Sequence, residues 1–425
     1  MGTGAVLSLV AGVITAVTTQ PASHPVSSLT ADEPLPEPSL PDPTLPAPTV
    51  DPTLPPVPTA PPTALPTLPV PLPTHLLPTA LPTVPTVPTL LRDCDQEDGS
   101  DPWPGAKRQI ALSDPGRDDG FMGIADGVLW RSSVSRDGKF TLRLIGTPTA
   151  GGATRTLNAG STLDGNPQLY GGYFYFPTSK GIRRLATDGS SDRVFPTLFS
   201  DGSQAALSEL AIGHGRILGS SWNGQTKQFE VLSFDLSTVA RQWATPLSNT
   251  DVSNYDSPVV GTNGSDVYAV VTLGNGIHRT GYRSWRLGMN GAEQAHADLA
   301  AYSTENWSPG LVVTAAGPVL DEGFDDRPAV THFLSVSRSL APASRWTSPG
   351  AVEQFELVGD EIWTNAIVCG NPFMLTRRSA STHGIIARQM IDGMAYAVHP
   401  EGGLLWALQT KSPSEPVAWV AADLG

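Results

Sequence analysis

The side chains of this sequence that could take part in binding or chemistry include, first, the aspartates of a recurring short turn. Seven such turns occur between residues 117 and 394, with the sequences RDDG, LDGN, SDGS, YDSP, ENWS, TSPG and IDGM. Five of them carry an aspartate, namely Asp119, Asp164, Asp201, Asp256 and Asp392. Brought together, these carboxylates would form an acidic ring able to hold a cation or a basic partner. The alternative is that each aspartate caps its own turn by accepting backbone N–H bonds.

A second group of candidates lies in two long polar segments. GIHRTGYRSW spans residues 276 to 285, and DEGFDDRP spans residues 321 to 328. Their side chains could line a groove for a sugar or a peptide, with two tryptophans as stacking platforms. These candidates are His278, Arg279, Tyr282, Asp321, Asp325, Asp326, Arg327, Trp222 and Trp307. Asp321 and Asp325 could also bind calcium. The alternative is that these charges belong to solvated loops.

Linear signatures of catalysis are missing from the sequence. It contains no HExxH, GxSxG, SxxK or Walker motif, and no GxGxxG that follows a strand. The eight histidines are scattered without the spacing of metal ligands. The segment DCDQEDGSD, residues 93 to 101, has the composition of a calcium loop but places its glycine one position late and lacks the twelfth-position glutamate. We therefore interpret residues 92 to 106 as an acidic hinge.

Charge and cysteine content narrow the class of partner. Lysine and arginine number 26 against 40 aspartates and glutamates, so the formal net charge is −14. A field of that sign repels nucleic acid and anionic membrane surfaces, and we expect the folded domain to bind neither. The 2 cysteines, Cys94 and Cys369, exclude a disulfide-dense scaffold and any multi-cysteine metal site.

The first 91 residues cannot build a core. Residues 5 to 17 form an apolar run of the length found in signal peptides, although the preceding MGTG lacks the usual basic residue, so we expect residues 1 to 20 to be a leader or an N-terminal anchor. Residues 21 to 91 are rich in proline and threonine, with 23 prolines between Pro21 and Leu90. At ~3.1 Å per residue in polyproline II, such a spacer reaches on the order of 200 Å. The sequence therefore predicts export to the cell surface or the medium.

One strand pattern recurs seven times between residues 107 and 425. A small or polar turn is followed by a triplet of β-forming residues, as in ADGVLW, GHGRIL and EGGLLW. The triplets centre on Leu129, Phe174, Ile217, Val267, Val319, Ile362 and Leu405, at spacings of 43 to 52 residues. Repeats of this period, with several strands each, are typical of propeller blades, which hide their faces only against one another. We predict an all-β, seven-bladed β-propeller.

The two ends of the repeat region predict how the ring closes. The last repeat stops after PVAWVAADLG, one strand short, while the spare strand KRQIALS lies just before the first repeat. Residues 107 to 113 could therefore complete the last blade. A disulfide between Cys94 and Cys369 would lock this closure in an exported protein, and the alternative is two unpaired or intermolecular thiols.

The repeats resemble those of the PQQ-like and WD40-like propeller superfamily. The segments SFDLSTVARQWATP and DSPVVGTNGSDVYAVV carry this likeness, which extends over residues 107 to 425. The resemblance implies the fold and not one activity, because such repeats occur in quinoprotein dehydrogenases, in assembly scaffolds and in many exported proteins. The chain lacks a vicinal cysteine pair and an evident quinone site, so no catalytic residues are carried over.

Two functions follow as hypotheses. The first is a non-enzymatic, monomeric binding or scaffold propeller, displayed on the stalk, with an extracellular protein or glycan as its partner and calcium as the one cofactor to test. The second is a secreted propeller enzyme, a carbohydrate-active hydrolase or lyase or a lactonase, with an acidic channel mouth that could hold a metal. A metal site, or two carboxyl groups with raised pKa across a pocket, would favour the enzyme.

Overall fold

The glycine-rich turns recur because each one reverses the chain between the first two strands of a four-stranded sheet. The computed structural model describes residues 107–112, 120–134, 141–160, 167–207, 209–248, 258–274, 279–302, 310–326, 329–367, 373–391, 394–401, 403–410 and 416–423. Within these ranges the chain forms 28 β-strands and no α-helix. The same residues accordingly offer no helix with the length and apolar character needed to cross a membrane.

The strands group into seven antiparallel sheets, the blades of the propeller. Strand β1 (Arg108–Ala111) precedes blade 1, which holds β2 (Gly120–Ala125), β3 (Val128–Val134), β4 (Leu142–Pro148) and β5 (Arg155–Gly160). Blade 2 holds β6 (Gln168–Tyr170), β7 (Tyr173–Thr178), β8 (Gly181–Ala186) and β9 (Asp192–Phe195). Blade 3 holds β10 (Leu210–Gly213), β11 (Arg216–Asn223), β12 (Gln228–Asp235) and β13 (Arg241–Pro246).

The remaining blades repeat this arrangement. Blade 4 holds β14 (Val259–Thr262), β15 (Asp266–Gly274), β16 (Arg279–Gly288) and β17 (Glu293–Ala300). Blade 5 holds β18 (Leu311–Thr314), β19 (Gly317–Asp326), β20 (Ala329–Val336) and β21 (Pro342–Pro349). Blade 6 holds β22 (Ala351–Val358), β23 (Glu361–Ile367), β24 (Phe373–Ser379) and β25 (Ile385–Ile391). Blade 7 holds β26 (Met394–Glu401), β27 (Leu404–Thr410) and β28 (Pro416–Asp423).

The seven predicted marker residues all lie in the second strand of a blade. Each is at most 1% exposed to solvent, from Leu129 in β3 to Leu405 in β27. A turn followed by a buried triplet is the part of a blade that local sequence determines most strongly, because the turn fixes the register of the first hairpin. The prediction of seven blades is confirmed.

Strand β1 completes blade 7, as predicted from the missing fourth strand. It pairs antiparallel with β28, with Arg108 opposite Ala421 and Ala111 opposite Ala418. The backbone N–H of Lys107 donates to the carbonyl of Ala421 at 2.8 Å, which extends the ladder by one bond. Segments from the two ends of the propeller thus share one sheet, and the ring is closed by backbone hydrogen bonds.

The core consists of seven apolar clusters, one at each boundary between neighbouring blades. At the first boundary Trp130 of blade 1 meets Phe174 of blade 2 edge to face, with ring centroids 5.0 Å apart. At the closing boundary Leu129 of blade 1 packs with Trp406 and Trp419 of blade 7. Each sheet therefore buries both faces, which explains why the strands are apolar on both sides.

Antiparallel pairing decides which loops share a face. The connections from second to third strand, and those from the last strand of one blade to the first strand of the next, emerge on the same side of the ring. We call this side the mouth face. The described acidic turn, residues 200–203, and the described parts of the two long polar segments, residues 279–285 and 321–326, belong to it.

Gly181 occupies a position that only glycine tolerates. Its φ is +133°, and a Cβ there would overlap the carbonyl of Phe195 on the neighbouring strand. We expect Gly181→Ala to lower the free energy of unfolding by about 2 kcal/mol or more, since backbone strain and the clash add. Calorimetric melting checks this against Gly213→Ala, because Gly213 has no atom within 4 Å of its added Cβ and no positive φ. Equal melting temperatures for the two variants would contradict the expectation.

Candidate functional site

Asp201 is the member of the predicted acidic ring that the structure describes, and its carboxylate caps its own turn. Oδ1 accepts from the backbone N–H of Ser203 at 2.8 Å and from the Ser203 hydroxyl at 2.6 Å. Oδ2 accepts from the amide of Asn223 at 3.0 Å. The Ser203 hydroxyl first, and then Asn223, hold the pKa of Asp201 below its usual value. Asp201 therefore caps its own turn, which is the alternative to a role in an acidic ring.

Asn223 links that turn to a buried glutamate. Glu230 is fully buried and accepts from the Asn223 amide at 2.8 Å. It also accepts from the backbone N–H of Ser200 at 2.8 Å and from its hydroxyl at 3.0 Å. The connection from blade 2 to blade 3 is thereby fixed to the mouth-face end of the blade 3 sheet, because a buried carboxylate needs each of these bonds.

Trp222, predicted as a stacking platform, is exposed at the mouth-face end of β11. Its side chain is 39% exposed, although most other large aromatic side chains in the described blades are buried. The indole packs edge-on against the ring of buried Phe229, with centroids 4.9 Å apart. One edge is therefore anchored, and the rest is presented to solvent above the fixed turn.

Tyr302 is a second exposed aromatic on the mouth face, and the sequence reasoning missed it. It is 53% exposed, and its ring stacks on the imidazole of His332 with centroids 3.8 Å apart. Its backbone N–H donates to Oε1 of the buried Glu322 at 3.2 Å. Arg345 binds the same carboxylate at 2.9 Å and the carbonyl of Ala300 at 2.7 Å. Tyr302 is thus held through both its ring and its backbone.

Two predicted groove residues are buried, and these predictions are corrected. Tyr282 is fully buried in the cluster between blades 4 and 5, opposite Leu299 in the sheet, because strand alternation turns it inward. Asp321 is 3% exposed, and its Oδ1 accepts from the backbone N–H of Gly323 at 2.8 Å across an irregularity in β19. Neither side chain lines an open groove.

For three other predicted site residues the structure describes only the backbone. The remaining ones lie outside the described residues. Arg279 opens β16, and Asp325 and Asp326 end β19 at the mouth face. Outside the described ranges lie Asp119, Asp164, Asp256, Asp392, His278, Arg327, Trp307, Cys94 and Cys369, together with the leader, stalk and hinge. In the part of the chain that is described, no three carboxylate, histidine or cysteine side chains are placed to hold a metal. The calcium site and the disulfide stay predictions.

A buried acid–base pair, which no sequence pattern indicated, joins the innermost strands of blades 6 and 7. Glu356 on β22 is 1% exposed, and its Oε1 accepts from the amide of Gln354 at 2.6 Å. Nδ1 of His399 on β26 lies 3.7 Å from the same oxygen. Burial raises the pKa of Glu356 to about 8 and lowers the pKa of His399 to about 4. Both side chains are therefore uncharged between those values.

Glu353 is a second carboxyl group with a raised pKa on the same strand, and burial is the cause. It lies three residues before Glu356, at the irregular position where β22 pairs with β23. The two carboxyl groups thus follow one another along a strand and do not face each other across a pocket. A protonated carboxyl group can donate a hydrogen bond or act as a general acid, provided that a substrate reaches it.

Comparison with known proteins finds resemblance in fold alone. No protein-family model and no curated protein matches the sequence. Similar solved structures include BamB from Moraxella catarrhalis, with 14% identity, a TM-score of 0.42 and coverage of 74% of this chain and 96% of that one. The extracellular domain of the putative hybrid two component system BT4673 from B. thetaiotaomicron matches with 9% identity, a TM-score of 0.46 and coverage of 75% and 43%.

A puromycin-hydrolyzing peptidase from Mycobacterium tuberculosis matches with 11% identity, a TM-score of 0.46 and coverage of 76% of this chain and 55% of that one. This chain therefore spans about half of each of these last two proteins. The seven closed blades show the propeller fold that the resemblance to PQQ-like and WD40-like propellers implied. At these identities none of the three structures assigns an activity to this chain.

Proposed function

We propose that this chain is an exported binding propeller whose mouth face engages an extracellular glycan or protein through exposed aromatic side chains. The observation that carries the proposal is the pair Trp222 and Tyr302. Both are large aromatics left open to solvent on the mouth face, and each is backed by a second ring and by a fixed backbone.

Rigid aromatic side chains are economical binding groups. They bring a large apolar area to a partner while losing little conformational entropy, because they have only two side-chain torsions and are already held. The supporting carboxylates, Glu230 and Glu322, are buried and bonded to the chain, so they stiffen the surface and do not face the partner. A surface of this kind suits the apolar faces of sugar rings or the side chains of a protein.

Two features of the sequence support binding outside the cell. The apolar run at residues 5 to 17 serves as the export signal, and residues 21 to 91 hold the propeller away from the surface. The net charge of −14 favours neutral glycans or basic protein surfaces over anionic polymers.

Titration calorimetry of the full-length protein with soluble cell-wall polysaccharide fragments tests the glycan form of this function. We expect Trp222→Ala and Tyr302→Ala each to weaken binding about tenfold or more, or ~1.4 kcal/mol, because each removes a stacking surface. Ile386→Ala is the matched control, since Ile386 is 51% exposed on β25 at the opposite face of the ring.

Three outcomes are informative. Loss in the two aromatic variants alone supports the glycan function. Binding that survives both substitutions contradicts a mouth-face site. If no polysaccharide binds, an extracellular protein that the wild-type chain captures and that the Trp222→Ala and Tyr302→Ala variants fail to capture is the partner. Capture of a protein that is unchanged in both variants overturns the proposal.

A propeller enzyme is the second candidate, and Glu356 is the observation that favours it. A carboxyl group with a pKa of about 8 is protonated at neutral pH, as the general acid of a carbohydrate-active hydrolase or lyase, or of a lactonase, must be. Hydrolytic or lyase activity on sugar substrates that is lost in Glu356→Gln and retained in Trp222→Ala would favour the enzyme over the binding protein.

A further inference from the structure

The outer part of the boundary between blades 5 and 6 contains buried hydrogen-bond donors that meet no acceptor. Four side-chain atoms there are shielded from solvent and make no hydrogen bond. They are Nε1 of Trp346, Oγ1 of Thr376, Nε of Arg378 and Nε of Arg388. Buried donors are nearly always paired in folded proteins, so a group of four without acceptors indicates a missing partner.

Strand register places these donors on one side of the blade 6 sheet. Thr376 on β24 lies directly opposite Arg388 on β25. Arg378 is two residues beyond Thr376, so its side chain leaves the sheet on the same side. The guanidinium of Arg378 lies 4.6 Å from the ring centre of Trp346 on β21, which directs this side toward blade 5. The four donors therefore belong to one inter-blade space.

Among the described residues no carboxylate forms an ion pair with Arg378 or Arg388. Arg378 is 6% exposed, and its two terminal nitrogens donate to the carbonyls of His383 at 2.9 Å and Thr347 at 2.8 Å. Neither acceptor carries a charge. Burial first, and then the charge of Arg388, lower the pKa of Arg378 to about 10.

Glu361, on the neighbouring strand β23, is already engaged. Glu361 forms a two-bond ion pair with Arg377, at 2.8 and 3.0 Å. The side chains of Arg377 and Arg378 leave β24 on opposite sides of the sheet. The ion pair between Glu361 and Arg377 therefore lies on the side away from Arg378. Two neighbouring cations that lack a carboxylate partner in the described part of the chain are unusual in a protein whose net charge is −14.

We propose that Arg378 and Arg388, with Thr376 and Trp346, form a binding site for a phosphate or sulfate group between blades 5 and 6. A tetrahedral oxyanion accepts from several donors at once, and arginine suits it because its N–H groups are fixed in one plane. Access is through Arg388, which is half-buried on the outer strand of blade 6. The site is independent of the aromatic side chains of the mouth face.

Thermal melting and titration calorimetry of the full-length protein test this site, with sodium phosphate, sodium sulfate and glucose 6-phosphate compared with chloride at constant ionic strength. We expect a saturable rise in melting temperature and a measurable binding isotherm, both at millimolar anion. Arg388→Gln should weaken binding at least tenfold, and in the absence of anion it should not lower the melting temperature, because it relieves repulsion with Arg378.

The control is Arg193→Gln, since Arg193 is an exposed arginine on the outer strand of blade 2. Thr376→Val is the second variant. It keeps the charge of both arginines and removes one hydroxyl donor, so it should weaken anion binding several-fold. Tighter binding of glucose 6-phosphate than of free phosphate would identify an esterified phosphate group as the ligand. Tighter binding of free phosphate would identify the free ion as the ligand. A rise in melting temperature that does not saturate and is equal in all variants is a general salt effect and would overturn the proposal. Saturable anion binding that persists in Arg388→Gln would overturn it as well.

Discussion

Deleting residues 107–112 from the full-length chain is expected to abolish the cooperative unfolding transition of the propeller or to lower its stability by roughly 5 kcal/mol, a large part of what holds a domain folded. The deletion removes β1, so β28 loses its partner strand and becomes an exposed edge. It also removes Ile110 and Leu112, which pack against the cluster that contains Trp406 and Trp419.

A deletion of equal length within the proline-rich segment, residues 61–66, is the matched control and should leave melting unchanged. Hydrogen exchange adds a local readout, because the amides of β28 should lose protection before those of blades 3 and 4. If the deletion of residues 107–112 melts like the control, β1 does not close the ring.

Glu356→Gln is expected to stabilise the protein at alkaline pH and to have little effect near pH 4.5. The pKa of Glu356 is about 8 in the folded chain, against an ordinary value of 4.5, so the unfolded chain ionises first as pH rises. The stability that depends on its proton is fully present below pH 4.5 and is lost as the pH rises to about 8, where the cost is about 4 kcal/mol. The substitution removes that cost while keeping an oxygen for Gln354.

His399 produces the opposite slope on the acid side. Its pKa falls from 6.5 to about 4, so stability decreases as the pH falls through that range. Between pH 4.5 and 6.5 the two contributions oppose each other, and the wild-type protein should be most stable there. Chemical denaturation between pH 4 and 9 measures the profile.

Glu361→Gln is the matched comparison, because Glu361 is ion-paired with Arg377 and its pKa is lowered. That variant should lose stability at high pH, where Glu356→Gln gains it. A gain in Glu356→Gln of the same size at pH 5 and pH 8 would contradict a titrating carboxyl group.

The number of blades could be predicted because the sequence pattern that indicates it is local. Each marker triplet follows its turn within a few residues, and all seven repeats report the same hairpin. The closure by β1 was predictable as well, since the last repeat is one strand short and an unpaired edge is costly. These features need no knowledge of which blades touch.

The candidate sites depend on contacts that the sequence does not encode locally. Glu356 and His399 are 43 residues apart, and only the packing of β22 against β26 brings them within 3.7 Å. Tyr282 was misplaced because residues 276 to 285 were interpreted as a loop, whereas strand β16 already begins at Arg279 and its alternation turns Tyr282 inward. Trp222 lies next to the last residue of β11, where the strand alternation ends and a large side chain can stay exposed, and its role as a stacking platform stays a prediction.

Hydroxyl-radical footprinting of the full-length protein, with and without cell-envelope material from the organism that produces it, tests the binding function most directly. The proposed function predicts that Trp222 and Tyr302 become protected when the envelope is present, while Ile385 and Ile386, which are exposed on β25, keep their reactivity. Unchanged reactivity of both aromatic side chains, with protection of Ile385 and Ile386 or of no described residue, would contradict a binding surface at the mouth face.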